Sequence, residues 1–259
     1  MLDELSNFKK RRWRLLIFAP ALAGLMLLAF LVQSASARVL YEQPANFQDF
    51  TQKLSEATFE ISCNGEWGGT GWGLEIDGAN YIVTAFHVVE ECVTGEVIIA
   101  KNELNPRVNL QLLAYDGRFW SDDAGEYRDL ALLATQASIQ TLTLQVESVQ
   151  LGQWVGVMGY PFDSSGVALH SLTTGRVTGL DEVGAVMTDA SVNGGNSGGP
   201  MVNSRGEIIG TIYATEDYAE YENMAFAQGL GLHCGLVFEC SGGKPMDILP
   251  EDFVQITSD

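Results

Sequence analysis

Apolar and polar positions follow three different rhythms along these 259 residues. Residues 15–32 are apolar throughout and leave no polar face. Phe47, Phe50 and Leu54 then recur at the spacing of one helical stripe, which predicts a short helix within a tether over residues 38–57. Beyond residue 57 the chain breaks into short runs rich in β-branched and aromatic residues, punctuated by glycine. Strands are expected at 70–76, 81–84, 96–100, 108–115, 130–133, 154–158, 167–173, 183–188 and 207–213. Asp77-Gly78 is a hairpin signal between the first two of these. Many short strands at close spacing predict an all-β sandwich or barrels. About 220 residues follow the apolar run, enough for one sizeable domain or two small ones, and no internal repeat is present.

Charge changes the reading of the N-terminus. Lys9, Lys10, Arg11, Arg12 and Arg14 precede the 18-residue apolar run, whose helical length of about 27 Å approaches the hydrocarbon thickness of a bilayer. A basic flank holds that end in the cytoplasm, so residues 1–14 are expected as a cytoplasmic tail and 15–32 as a transmembrane anchor. Everything after it would then lie outside the cytoplasm. Ala35-Ser36-Ala37 supports a second reading, a cleaved signal with a mature chain starting near Arg38. The run exceeds the usual length of a cleavable core, which favours the anchor. Beyond residue 14, 9 Lys/Arg face 31 Asp/Glu. Such a surface disfavours nucleic-acid binding. Solubility accounts for it, with steering of cationic polypeptides as the sharper alternative.

Candidate chemistry centres on Gly194-Gly195-Asn196-Ser197-Gly198-Gly199-Pro200. A serine flanked by glycines has an exposed hydroxyl, and the bare backbone lets two N–H groups converge beside it. A serine hydroxyl is a weak nucleophile until a base takes its proton. His87 ends the strand expected at 81–84, whereas His170 and His233 sit in contexts that read as surface or packing histidines. An acid is needed to orient that base. Asp129 precedes the apolar run 130–133 and is placed to reach it from the edge of the core, whereas Asp116, Asp122 and Asp123 read as solvated loop residues. Scattered histidines, no paired cysteines of zinc spacing and no alternating oxygen ligands imply no metal, and no other cofactor is implied.

The strings Thr84-Ala85-Phe86-His87, Asp129-Leu130-Ala131-Leu132-Leu133 and Thr188-Asp189-Ala190 leading to Gly-Asn-Ser-Gly-Gly-Pro resemble the trypsin/chymotrypsin-like serine peptidases, more specifically their HtrA branch. The chain order His87, Asp129, Ser197 is that of the chymotrypsin-like enzymes. Residues 149–155, 159–162 and 174–177 resemble the opening of the second HtrA barrel, so the likeness runs from about 58 to 230. It implies two antiparallel six-stranded β-barrels side by side, one over 58–143 and one over 144–248, with a linking segment at 33–57 and a tail at 249–259. It also implies that His87, Asp129 and Ser197 form a catalytic triad in the cleft between them, and that the N–H groups of Gly195 and Ser197 form an oxyanion hole. By the same alignment Ser191 would be the base of the primary pocket, and Tyr213, Ala214 and Thr215 the edge that pairs with substrate. No acid is placed to hold Lys or Arg, so cleavage after small or medium apolar residues is expected.

Departures carry expectations too. Gly194 stands where the family usually has proline, adding freedom where the hole must form, so the hole is expected to be only partly preformed. Asn196 replaces the aspartate that pairs with a freed N-terminus in activatable zymogens, so activation by N-terminal cleavage is not expected. No PDZ domain is expected before Asp259. HtrA-like enzymes are often trimers, which leaves a homo-oligomer open, although no trimer-forming segment is readable in residues 38–57. Four cysteines in an exported domain suggest two disulfides, with three pairings possible. Cys63 with Cys92 is preferred because it brackets His87 as the disulfide around the histidine does in trypsin-like enzymes, leaving Cys234 with Cys240. The expected function is a membrane-tethered, extracytoplasmic serine endopeptidase acting on exposed polypeptides. A secreted form, an inactive binding module on the same fold and an esterase are the alternatives.

Overall fold

Period-two burial builds the sheets, and the strands that separate the two halves of the molecule are buried on both faces. The structure is a computed structural model describing residues 41–117, 128–162, 167–181, 184–213, 224–241, 244–245 and 255–256. The cytoplasmic tail, the apolar run 15–32 and the signal-like triplet 35–37 lie outside those residues. Among the described residues no helix is long and apolar enough to cross a membrane.

Six strands make the first barrel: β1 (Thr58–Cys63), β2 (Glu66–Ile76), β3 (Ala79–Thr84), β4 (Ile98–Lys101), β5 (Val108–Asp116) and β6 (Leu130–Ala134). They run in the order β5-β4-β1-β2-β3-β6, and β5 pairs with β6 to close the ring. The hairpin between β2 and β3 turns on Asp77 and Gly78, at φ of 52° and 78°, the paired left-handed residues that match the twist of a two-residue hairpin. The second barrel contains β7 (Trp154–Gly159), β8 (Ser171–Leu180), β9 (Ala185–Thr188), β10 (Pro200–Val202), β11 (Ile208–Tyr213) and β12 (Ala225–Gly229), closed in the order β10-β11-β12-β9-β8-β7. Late in the chain β13 (Cys240–Ser241) pairs with β14 (Lys244–Pro245), and β15 (Gln255–Ile256) adds in parallel to the end of β5.

Three corrections to the sequence reading have physical causes. Strand β8 occupies 171–180 rather than 167–173, because Val167 and Leu169 are more than half exposed while Gly175 and Gly179 let the strand run close against its neighbours. Strands β1, β10 and β12 are not predicted by a run-based reading, because β1 and β12 carry polar or glycine residues and β10 is only three residues long. Asp116 is fully buried at the end of β5, not solvated, and faces the Arg128 guanidinium at 3.9 Å.

Burial alternates within β6 in a way that explains the architecture. Ala131 and Leu133 point into the first barrel, and Leu130 and Leu132 point into a cluster shared with Trp154, Met158 and Val202 of the second. A strand apolar at every position is therefore needed where one barrel leans on the other. Helix α1 (Phe47–Glu56), capped by Asn46 accepting from the Asp49 N–H, packs on the outside of this seam. Phe50 meets Trp154 edge-on at 5.5 Å and Leu54 is buried, whereas Phe47 is exposed.

Helix α2 (Leu230–His233) follows β12 and adds Leu232 to the cluster shared by the two barrels, and His233 is a packing histidine. Trp72 Nε1–H of the first barrel donates to Thr211 Oγ1 of the second at 3.0 Å, and Thr211 stands 2.8 Å from His233 Nε2. His233 Nδ1 lies 3.0 Å from the Gly229 carbonyl, which can only accept. The ring is thus the neutral Nδ1–H tautomer, with Nε2 accepting a hydrogen bond from the Thr211 hydroxyl. Burial pushes its pKa down to about 4, with Arg128 adding to the shift against the Gly229 hydrogen bond. Unfolding then takes up a proton between about pH 4 and 6.5, so this stabilisation is complete above pH 6.5 and is lost as pH falls through that window. A depression of this size corresponds to about 3 kcal/mol. Between pH 6.5 and 4, denaturant-measured stability will fall more steeply in the wild type than in His233→Gln, and parallel curves would contradict the buried neutral ring.

Both disulfides form as expected. Cys63–Cys92 spans 5.9 Å between Cα atoms and closes the loop carrying His87, and Cys234–Cys240 spans 5.5 Å after α2.

Candidate active site

His87 lies in a single turn, Phe86–Val88, at the end of β3, and Asp129 directly precedes β6, the strand paired with β3. Adjacent strands therefore deliver base and acid to the same edge. The carboxylate grips the histidine twice: Oδ1 accepts from the His87 backbone N–H at 2.9 Å, and Oδ2 lies 2.5 Å from Nδ1. This fixes the ring plane and places the proton on Nδ1, leaving Nε2 as the free acceptor. Asp129 is 3% exposed and His87 32% exposed, so the acid is sequestered while the ring reaches solvent. Burial alone would lower the His87 pKa, but the charge and hydrogen bond of Asp129, with Glu90 beyond, outweigh it and the net shift is upward.

Ser197 comes from the second barrel, in the turn before β10. What brings it to the histidine loop is the string Gly68-Gly69-Thr70-Gly71 in β2. A Cβ on Gly69 would lie 2.7 Å from the Val88 side chain and 2.8 Å from the Ser197 carbonyl, so only glycine lets both loops close on this strand. Thr70 then ties the loops together. Its N–H donates to Ser197 O at 2.9 Å, its hydroxyl donates to Gly195 O at 2.6 Å and accepts from the Tyr160 N–H at 2.9 Å, and its carbonyl accepts from Thr84 Oγ1 at 2.6 Å. Gly198, at φ of 82°, fits where a side chain would strike Thr70 O, Thr84 Oγ1 and Ala85 N. The hydrogen bonds of the described residues join His87 to Asp129 and include none from Ser197 Oγ to the imidazole. In unliganded sites such bonds often tighten only once substrate is bound.

Ser191, expected at the pocket base, is exposed, and its carbonyl accepts from Thr173 Oγ1 at 2.8 Å. Tyr213 is buried at the end of β11, tilted against Phe226 at 6.2 Å. Ala214 and Thr215 lie outside the described residues, as do Asp122 and Asp123. His170 is remote in role, stacked on Tyr160 at 4.6 Å. Thr70, and Gln228, whose side chain hydrogen-bonds the Asp129 backbone, are the residues that sequence reasoning missed. The glycines around Thr70 were a usable signal for close approach of two loops, while nothing local marks Gln228.

Residues 69–210 match the family model described as a trypsin-like peptidase domain. A probable periplasmic serine endoprotease DegP-like of Halomonas elongata is 33% identical over 151 residues, covering 55% of this chain and 28% of that protein. A serine protease Do-like HtrA of Lactobacillus helveticus is 28% identical over 209 residues, covering 75% and 48%. The chain thus spans between about a quarter and a half of these relatives' length. A crystal structure of the serine endoprotease from Yersinia pestis superposes with a TM-score of 0.57 at 23% identity, covering 74% of this chain and 65% of that one, a likeness of fold.

Proposed function

The chain belongs to the trypsin-like peptidase family, in its HtrA branch, and from that membership we propose that it is a serine endopeptidase working through an acyl-enzyme intermediate. In this reading Ser197 Oγ attacks the scissile carbonyl carbon while His87 Nε2 takes its proton. Asp129 holds the imidazole in the required tautomer and stabilises the imidazolium as it forms. The tetrahedral intermediate breaks its C–N bond, His87 returns the proton to the leaving amine, and water repeats the sequence to free Ser197. The observation that carries the reading is the double grip of Asp129 on His87.

The oxyanion hole is assigned to the N–H groups of Gly195 and Ser197, neither of which donates to another group among the described residues. The Gly194 carbonyl accepts from the Phe162 N–H at 3.1 Å. In a trans peptide the N–H points opposite to the C=O, so this bond turns the Gly195 N–H away from Phe162. The bond therefore fixes the orientation of the peptide that joins Gly194 to Gly195.

The setting we propose is a catalytic unit outside the cytoplasm, tethered by residues 15–32 through the segment 33–57, acting on exposed or misfolded polypeptides. The basic flank of the apolar run, two disulfides suited to an oxidising compartment, and relatives described as periplasmic support it. Pocket residues Ser191, Tyr213, Ala214 and Thr215 carry no charge, so cleavage is expected after small or medium apolar residues. Digestion of a denatured protein by the full chain in detergent, with cut sites read by mass spectrometry, tests this. Cuts after Ala, Val or similar residues are expected, and efficient cleavage confined to arginyl or lysyl bonds would overturn the specificity.

A further inference from the structure

Gln228 lies in β12 of the second barrel, yet its side chain serves a residue of the first. Its neighbour Ala227 points into the second barrel's own core, so the alternation of the strand turns Gln228 outward, to the seam. There its Oε1 accepts from the Asp129 N–H at 2.9 Å and its Nε2 donates to the Asp129 carbonyl at 2.7 Å. Both groups are buried, Gln228 completely. Only this orientation of the carboxamide satisfies both bonds, since a flipped amide would set donor against donor and acceptor against acceptor.

The geometry is that of a strand pairing compressed into one side chain. Asp129 lies one residue before β6, and the strand register with β3 and β5 begins only at Leu130 and Ala131, so Asp129 is outside the paired residues of that strand. The carboxamide of Gln228 bonds its N–H and C=O, from 99 residues away. With the backbone of Asp129 pinned, its carboxylate is left to grip the N–H and Nδ1 of His87.

We propose that Gln228 is a positioning residue: by clamping the backbone of Asp129 across the barrel seam, it sets the carboxylate that orients His87, so that the imidazole is aligned only when the two barrels are docked. The inference rests on the reading of Asp129 as the orienter of His87. It requires no contact between Gln228 and substrate. Glutamine is the residue that fits, because the task needs one donor and one acceptor held coplanar at the end of a two-carbon stem.

The test is Gln228→Met, of similar length and without the amide, made in the full chain and in an Asp129→Asn background. Two readings are taken: the low-field proton NMR resonance of His87 Nδ1–H, and steady-state hydrolysis of a peptide cut by the wild type. The resonance is expected to be lost or broadened in Gln228→Met while the protein still melts cooperatively. The constant kcat is expected to fall about a hundredfold with KM little changed, the scale of a small misplacement of a catalytic group. In the Asp129→Asn background the same substitution is expected to have almost no further effect, because the two residues act as one unit. If Gln228→Met does not melt cooperatively, Gln228→Asn, which keeps the amide but on a stem one carbon too short to reach the Asp129 backbone, is read in the same way. An unchanged resonance with unchanged kcat, or equal losses in both backgrounds, would overturn the proposal. A wild type that shows the resonance and cleaves no peptide would instead sink the peptidase reading and leave the clamp standing.

Discussion

Ser197→Ala will lower kcat on a denatured protein substrate by about a millionfold, the scale seen when a serine peptidase loses its nucleophile. The side chain makes no hydrogen bond among the described residues, and its backbone is held independently by the Thr70 N–H and by the neighbouring bonds of Gly198 and Gly199 to Ile212 and Asn196. Deleting the hydroxyl therefore removes chemistry without removing support. The variant should fold and melt as the wild type does, and it should still bind substrate, because the N–H groups of Gly195 and Ser197 belong to the backbone. Residual cleavage within tenfold of the wild type, from a preparation free of other peptidases, would show that another group attacks the peptide.

Asp129→Asn will cost about ten-thousandfold in kcat at neutral pH. The backbone clamp of Gln228 is unaffected by this change, so the amide will sit where the carboxylate sat. One of its two atoms must then be an NH₂ facing either the His87 N–H or Nδ1. The ring can relieve the second clash by moving its own proton to Nε2, and in that tautomer it cannot accept the proton of Ser197. The acid limb of the pH profile will also move. In the wild type Asp129 and Glu90 raise the His87 pKa against the effect of burial, so activity should fall as pH drops through a value above 6.5. Without the carboxylate, burial is opposed by Glu90 alone and the limb should shift to lower pH. A loss under tenfold, or a limb that stays in place, would contradict the role given to Asp129. The measurement is kcat/KM against pH for both proteins, with cooperative melting as the control.

The candidate triad was legible in the sequence because each member sits in a local string whose geometry is dictated by neighbours: glycines around Ser197, an apolar run after Asp129, the end of a strand before His87. The hairpin at Asp77-Gly78 was legible for the same kind of reason, whereas the preferred disulfide pairing rested on the likeness to trypsin-like enzymes, since four cysteines alone left three pairings open. What joins these pieces was not legible. Thr70 and Gln228 act at a distance of about a hundred residues, and neither a threonine in the long strand β2 nor a glutamine in the short strand β12 gives a sign of which barrel its side chain will serve. Asp116 reads as a loop residue because Gly117 and Arg118 follow it, while its burial comes from strand pairing with β6 and β15 and from the approach of Arg128. Strand β8 was misplaced because hydrophobicity marked Val167 and Leu169, whereas pairing selected the glycine-bearing segment that follows. Local chemistry reads out of sequence where the backbone alone sets it, and fails where two barrels must first meet.

The most direct measurement is active-site labelling of the full chain with a fluorophosphonate, which leaves an unactivated serine untouched but phosphonylates one whose hydroxyl is deprotonated as it attacks phosphorus and expels fluoride. A single adduct mapped by mass spectrometry to Ser197, abolished in His87→Ala, is the predicted result. A folded wild-type protein with no adduct on Ser197, or equal labelling with and without His87, would contradict the account.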